Sequence, residues 1–144
     1  MVLTRTHHNI YDTHYHIVFP VKYRKSLLIN EIPLAIRSIA QEIALRYDIE
    51  FEQLGYDQNH IHILASFPPK HSGSDVVRIF KSITARELFK RFPELKKELW
   101  GGEFWSDGFY LATVSERGNW KMVEQYVANQ GKTMEQPLQL RLLT

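Results

Sequence analysis

An α+β domain with one four-stranded antiparallel sheet is the fold this sequence predicts, and three observations predict it. Short segments rich in β-branched and aromatic residues, such as Tyr15–Val21 (YHIVFPV) and His60–Phe67 (HIHILASF), read as strands. Two longer stretches repeat apolar residues at helical spacing. The elements then fall in the order strand, helix, strand, strand, helix, strand, helix.

Each element has its own local reason. Pro20 helps end the first strand. Asn30 can cap the first helix, and Pro33 is acceptable in its first turn. Ile32, Ala35, Ile36, Ile39, Ala40, Ile43, Ala44 and Tyr47 then form one apolar face. Ile49–Tyr56 is a strand, Asp57-Gln58-Asn59 a turn, and His60–Phe67 the returning strand of a hairpin, stopped by Pro68 and Pro69. A helix follows from Ser74 to about Phe92, with Ser72 or Ser74 as cap and Pro93 beyond its end. Val76, Ile79, Phe80 and Ile83 share one side of it, whereas Leu88, Phe89 and Phe92 point elsewhere. Either this helix breaks near Ala85 or its far end packs on something else, such as a partner subunit. Leu95–Trp105 reads as irregular and Phe109–Val114 as the last strand. A hinge at Ser115–Gly118 leads to a final helix, capped by Asn119, running to about Gln130 and closed by Gly131.

The first six elements match the split βαβ order of ferredoxin-like and RNA-recognition-type sandwiches. Helices then cover one sheet face, and the other is available to a ligand or a further element. The expectation is a single domain over residues 1–144, with an extra C-terminal tyrosine-bearing helix at 118–131 that is mobile, and a tail at 132–144.

Composition narrows the chemistry. With 44% hydrophobic and 24% charged residues the chain is globular. It has no cysteine, which excludes disulfides and thiolate metal sites. No signal-peptide-like or membrane-length apolar run occurs, so a cytoplasmic protein is expected, with no membrane partner. Net charge is only +2, so any polyanion must be met by local clusters: Lys22, Arg24 and Lys25 in one segment, and Arg78, Lys81, Arg86, Lys90 and Arg91 along the second helix.

Two pairs of histidines have strand spacing. His60 and His62 project from one face and could share a metal ion; His14 and His16 have the same spacing on the first strand. In a split βαβ sheet the first and third strands are neighbours, so spacing cannot choose between the pairs. Either pair could also simply line a sheet surface. His7, His8 and His71 sit in loops. On the last helix Tyr126 and Gln130 are four apart, so they lie on one face. Gln130 offers an amide oxygen to a hard cation and Tyr126 a phenol, although Tyr126 could equally be a packed aromatic beside Val123 and Val127.

In combination, HIHILASFPPK, FKSITARELFKRFPELKKELWGGEFW, SDGFYLATV and VEQYVANQ resemble the single-tyrosine HUH transposases of small insertion sequences, the IS-two-hundred-like transposases. The resemblance runs from YHIVFPVKYRK to about Gln130. It implies that the metal pair is His60 and His62, and that His14 and His16 are not ligands. It further implies that Gln130 completes a Mg²⁺ or Mn²⁺ site. Tyr126 would then attack single-stranded DNA, forming a 5′-phosphotyrosine that a 3′-OH later resolves. It implies a homodimer whose tyrosine helix can complete the partner's site, acting on the nucleoid on DNA with subterminal hairpins. Lys22, Arg24, Lys25, Lys81, Arg86 and Lys90 are candidates for backbone contacts, and Tyr23 for base stacking. No nucleotide cofactor is expected, because the covalent link conserves phosphodiester energy and no GxxxxGK[ST] loop occurs. An HUH-type nickase and a domesticated, non-catalytic hairpin-DNA-binding protein are the alternatives.

Overall fold

The structure, a computed structural model, describes residues 4–5, 10–11 and 13–114. Two short strands, β1 (Thr4–Arg5) and β2 (Ile10–Tyr11), pair as a separate antiparallel ribbon that the sequence reading did not anticipate. The main sheet uses β3 (His14–Pro20), β4 (Glu50–Asp57), β5 (His60–Ser66) and β6 (Tyr110–Val114) in the order β4-β5-β3-β6, with every neighbour antiparallel. Helices α1 (Ile32–Tyr47) and α2 (Gly73–Arg91) lie between the strands in sequence, giving the expected ferredoxin-like order. The first and third strands of that order, β3 and β5, are the two central strands.

Strand alternation builds the core. Ile17 and Phe19 from β3 and Ile61, Ile63 and Ala65 from β5 all point to the helix side and are buried there. Against them pack Ile36, Ile39 and Ile43 of α1 and Val76, Val77 and Phe80 of α2. Phe19 meets Trp105 edge-on at 4.9 Å and Phe80 at 5.9 Å between ring centres. Such aromatic contacts add stabilisation beyond the area they bury. Polar atoms within this layer are paired: Trp105 Nε1 donates to Thr84 Oγ1 at 2.8 Å, and Thr84 donates in turn to the Phe80 carbonyl at 2.6 Å.

Several boundaries depart from the sequence reading. The first strand begins and ends one residue earlier than expected, and Val21 instead bridges Trp105. Asn30 does not cap α1 through its side chain. It adopts a left-handed backbone (φ 55°), and Glu31 occupies the cap position without a side-chain hydrogen bond, while Pro33 sits in the first turn as expected. Ser72, not Ser74, caps α2: its hydroxyl accepts from the Asp75 amide and the Asp75 carboxylate accepts from the Ser72 amide, a complete capping box.

Helix α2 does not break near Ala85; it runs unbroken for 19 residues. Its far end packs within the chain, where Leu88 is fully buried and Phe89 meets Phe104 edge-on at 6.3 Å. The segment expected to be irregular supplies this cover. It contains a short helix α3 (Leu95–Glu98) and a 3₁₀ turn at Trp100–Gly102, whose glycines need φ near +80°. Among the described residues, no helix is long and apolar enough to cross a membrane. The expected hinge at Ser115–Gly118, the final helix and the tail lie outside the described residues.

Candidate metal and catalytic site

The face of the sheet turned away from the helices carries the histidines. Pairing sets Val18 opposite His62, His16 opposite Leu64 and Pro20 opposite His60, so His14, His16, His60 and His62 share that face. His60 and His62 lie with ring centres 5.1 Å apart, and His62 and His16 are equally close. Both rings of the β5 pair are held at Nδ1. Asn59 Oδ1 lies 2.7 Å from His60 Nδ1, which donates to it and keeps the lone pair on Nε2. His62 Nδ1 lies 3.0 Å from His16 Nε2, one donating to the other. His14 Nδ1 is 2.8 Å from Glu52 Oε1, which reaches it because a bulge between Phe51 and Gln53 re-aims that stretch of β4.

This face is buried rather than open to solvent: His62 is 0% exposed, His16 1% and His60 4%. Burial disfavours the charged imidazolium. It pushes His62 down to about 2, helped by its two histidine neighbours, and His16 down to about 4. His60 is also lowered by burial, with Asp57 opposing and Arg24 reinforcing the shift. The three rings are therefore neutral at pH 7, as a metal ligand must be.

The donor set fits a cation. His62 Nε2 is buried and has no hydrogen-bond partner among the described residues, although a buried nitrogen normally finds one. A lone pair aimed from a neutral, orientationally fixed ring is what a divalent ion takes from imidazole. Among the described residues no cluster of three or more histidines, cysteines or carboxylates has metal-binding spacing, so the pair alone is an incomplete site. Tyr126 and Gln130, expected to complete it, lie outside the described residues.

The candidate DNA contacts separate into two patches. Lys22–Arg24 form a 3₁₀ turn just past β3, on which Tyr23 is 59% exposed and, like Arg24, has a left-handed backbone. This patch adjoins the histidines, because Pro20 pairs with His60 and the Val21 amide donates to the Asn59 carbonyl at 2.9 Å. Lys22 donates to Glu103 at 2.9 Å and is raised by that bond; Lys25 pairs with Glu98 at 3.5 Å. The other patch is on α2, where Lys81 and Arg86 line a cavity of about 560 Å³ closed by residues 102–109, and Lys90 is exposed. Lys81 donates to the carbonyls of Ser106 and Gly108, both at 2.7 Å, so its ammonium already braces this loop.

Sequence reasoning set aside two residues that the structure brings to the site. Asn59 was only a turn residue, and His16 belonged to the rejected histidine pair. The signal for His16 was present: strand spacing together with the adjacency of the first and third strands.

Comparison with known proteins identifies the lineage. Residues 9–130 match the family described as "Transposase IS200 like". The ISDra2 transposase TnpA of Deinococcus radiodurans is 31% identical over 121 residues, 84% of this chain and 86% of that protein. The transposase for insertion sequence element IS200 of Salmonella typhimurium is 30% identical, covering 85% of this chain and 80% of the relative. A Deinococcus radiodurans crystal structure, described as that of a transposase, superposes with a TM-score of 0.71 at 31% identity, covering 88% of this chain and 97% of its own. The REP-associated tyrosine transposase bound to a REP hairpin shares the fold at 12% identity, with a TM-score of 0.59, covering 95% of this chain and 74% of its own. With the family matched over most of its length, and the histidine pair in place on the central strand, the chain belongs to the IS200-like transposases.

Proposed function

We propose that this transposase cuts and rejoins single-stranded DNA at the ends of an insertion sequence through a covalent bond to Tyr126, at a divalent metal held by His60, His62 and Gln130. The observation that carries the reading is the pair of neutral imidazoles, each fixed at Nδ1, with the buried Nε2 of His62 lacking a partner among the described residues. Such an arrangement is costly unless something occupies that nitrogen.

When bound, Mg²⁺ or Mn²⁺ supplies charge stabilisation at a non-bridging oxygen of the scissile phosphate. The chain's own residues do the rest. The Tyr126 hydroxyl loses its proton as its oxygen attacks phosphorus in line; the bond to the 3′ oxygen breaks, and that oxygen takes up a proton and leaves as a 3′-OH. The 5′ end stays on Tyr126 as a phosphotyrosine. A different 3′-OH then attacks the same phosphorus, loses its proton and frees the tyrosine. Arg24, next to His60, and the exposed Tyr23 are suited to hold DNA beside the site. The protein acts in the cytoplasm, as a homodimer, on DNA carrying subterminal hairpins; a hairpin-bound member of the same fold supports this partner.

The test uses the full chain with single-stranded oligonucleotides carrying the element ends. Tyr126→Phe should abolish covalent protein–DNA adducts while hairpin binding persists. Adducts surviving in that variant would remove Tyr126 from its role, and equal cleavage with and without chelator would remove the metal. Joined junctions from paired ends mark a transposase; cleavage without joining marks a nickase.

A further inference from the structure

His16 and His62 contact each other through one ring nitrogen each. His16 Nε2 and His62 Nδ1 lie 3.0 Å apart in a layer where both rings are almost wholly buried. The remaining nitrogens, His16 Nδ1 and His62 Nε2, have no hydrogen-bond partner among the described residues. A neutral imidazole carries one N–H and one lone pair, so the contact can form in only two ways. If His16 donates, His62 must carry its own hydrogen on Nε2 and cannot ligate through that atom. If His62 donates from Nδ1, its Nε2 is a lone pair, and His16 carries its hydrogen on Nδ1.

Only the second arrangement is compatible with a cation on His62. We propose that His16 is a positioning residue of the metal site: its Nε2 accepts the Nδ1 hydrogen of His62, fixing the tautomer and the ring angle that turn His62 Nε2 toward the ion. The inference rests on the metal reading given above and assigns a role to a histidine that the family pattern leaves out of the ligand set. His60 has the corresponding support from Asn59 at 2.7 Å. The β5 histidines are thus oriented by two different residues, one adjacent in sequence and one across the sheet. Partners of this kind commonly contribute 10- to 100-fold to metal affinity.

The test measures Mn²⁺ binding to the full-length protein by calorimetry, and the His62 tautomer by long-range ¹H–¹⁵N spectra at pH 7.5 with saturating Mg²⁺. Wild type should show His62 protonated on Nδ1. His16→Leu should weaken Mn²⁺ binding about 10- to 100-fold. His16→Gln, whose amide oxygen can accept the same hydrogen, should recover most of the loss, which a purely structural role would not predict. Wild-type His62 protonated on Nε2, or a His16→Leu protein that binds Mn²⁺ like wild type, overturns the assignment while leaving the metal site standing. A wild-type protein that binds no Mn²⁺ overturns the metal reading, and the assignment with it. Should His16→Leu fail to fold, the wild-type spectrum and His16→Gln still decide.

Discussion

On β5, Ile61, Ile63 and Ala65 point into an apolar layer shared with Phe80 and Trp105, while His60, His62 and Ser66 point the opposite way, toward His14 and His16 of β3. Both sides of the strand are buried, yet they do different work. Among the described residues the helix side is held by apolar packing, and the polar pair of Thr84 with Trp105 is hydrogen-bonded. The histidine side buries two nitrogens and a hydroxyl with no partner among the described residues. Burying unsatisfied polar atoms costs stability, so that side is tolerated for a reason other than folding. Stability and function are thus separated by the two-residue period of the strands themselves.

The largest expected effect breaks the helix side. Phe80 is 1% exposed and touches the Phe19, Phe51 and Trp105 rings. Phe80→Ala should destabilise the fold by about 3–5 kcal/mol, read from urea unfolding, through lost burial and a residual cavity. A loss below about 1 kcal/mol would show that the packed layer is not where stability resides.

Acid should break the histidine side next. His16 and His62 titrate at about 4 and about 2 in the folded chain, against 6.5 for the ordinary group, because burial opposes their charge. A depressed folded value means that the unfolded chain binds protons first. The contribution is therefore intact above pH 6.5 and is lost as pH falls from 6.5 toward 4, and further toward 2 for His62. Each ring adds up to about 1.4 kcal/mol per pH unit to the slope where only the unfolded chain is protonated. Unfolding at pH 7, 6 and 5 in chelator should show this decline, and replacing both hydrogen-bonded rings together, His16→Leu with His62→Leu, should flatten it with little loss of stability at pH 7, because neither nitrogen is then left buried without the other. Stability constant from pH 7 to 5 would contradict the neutral, buried state of these rings.

The contrast between faces also explains what could be read from the sequence. Alternation in HIHILAS and the three-and-four spacing of α1 made the sheet and first helix legible, because both patterns are local consequences of one buried face. The path of α2 was not legible. Leu88 and Phe89 fall off its main stripe because they pack on Leu95, Leu99 and Phe104, contacts that no local pattern encodes. Likewise, spacing showed two histidine pairs but not that His16 would touch His62 across the sheet. The resemblance chose the β5 pair, and the geometry gave the other pair one member with a place beside it. The tyrosine-helix assignment, Tyr126 and Gln130, lies beyond the described residues and depends on the DNA-adduct experiment.

The smallest expected effect lies at the rim, where the turn after β3 meets the loop that closes the cavity beside α2. Glu103 accepts from Lys22, which holds its carboxyl below the usual range, and Lys81 adds to that pull. This bridge is open to solvent, so the fold gains little from it. Its consequence is for binding instead: the carboxylate offsets positive charge in the patch beside His60, and its removal leaves Lys22 facing DNA without that competition. Glu103→Gln should leave the thermal midpoint unchanged and strengthen hairpin binding by roughly two- to threefold at low salt, the gain fading as salt rises. Fluorescence anisotropy across a salt series measures this. Unchanged affinity at every salt concentration would take Lys22 out of the DNA interface and shift attention to Arg86 and Lys90 on α2.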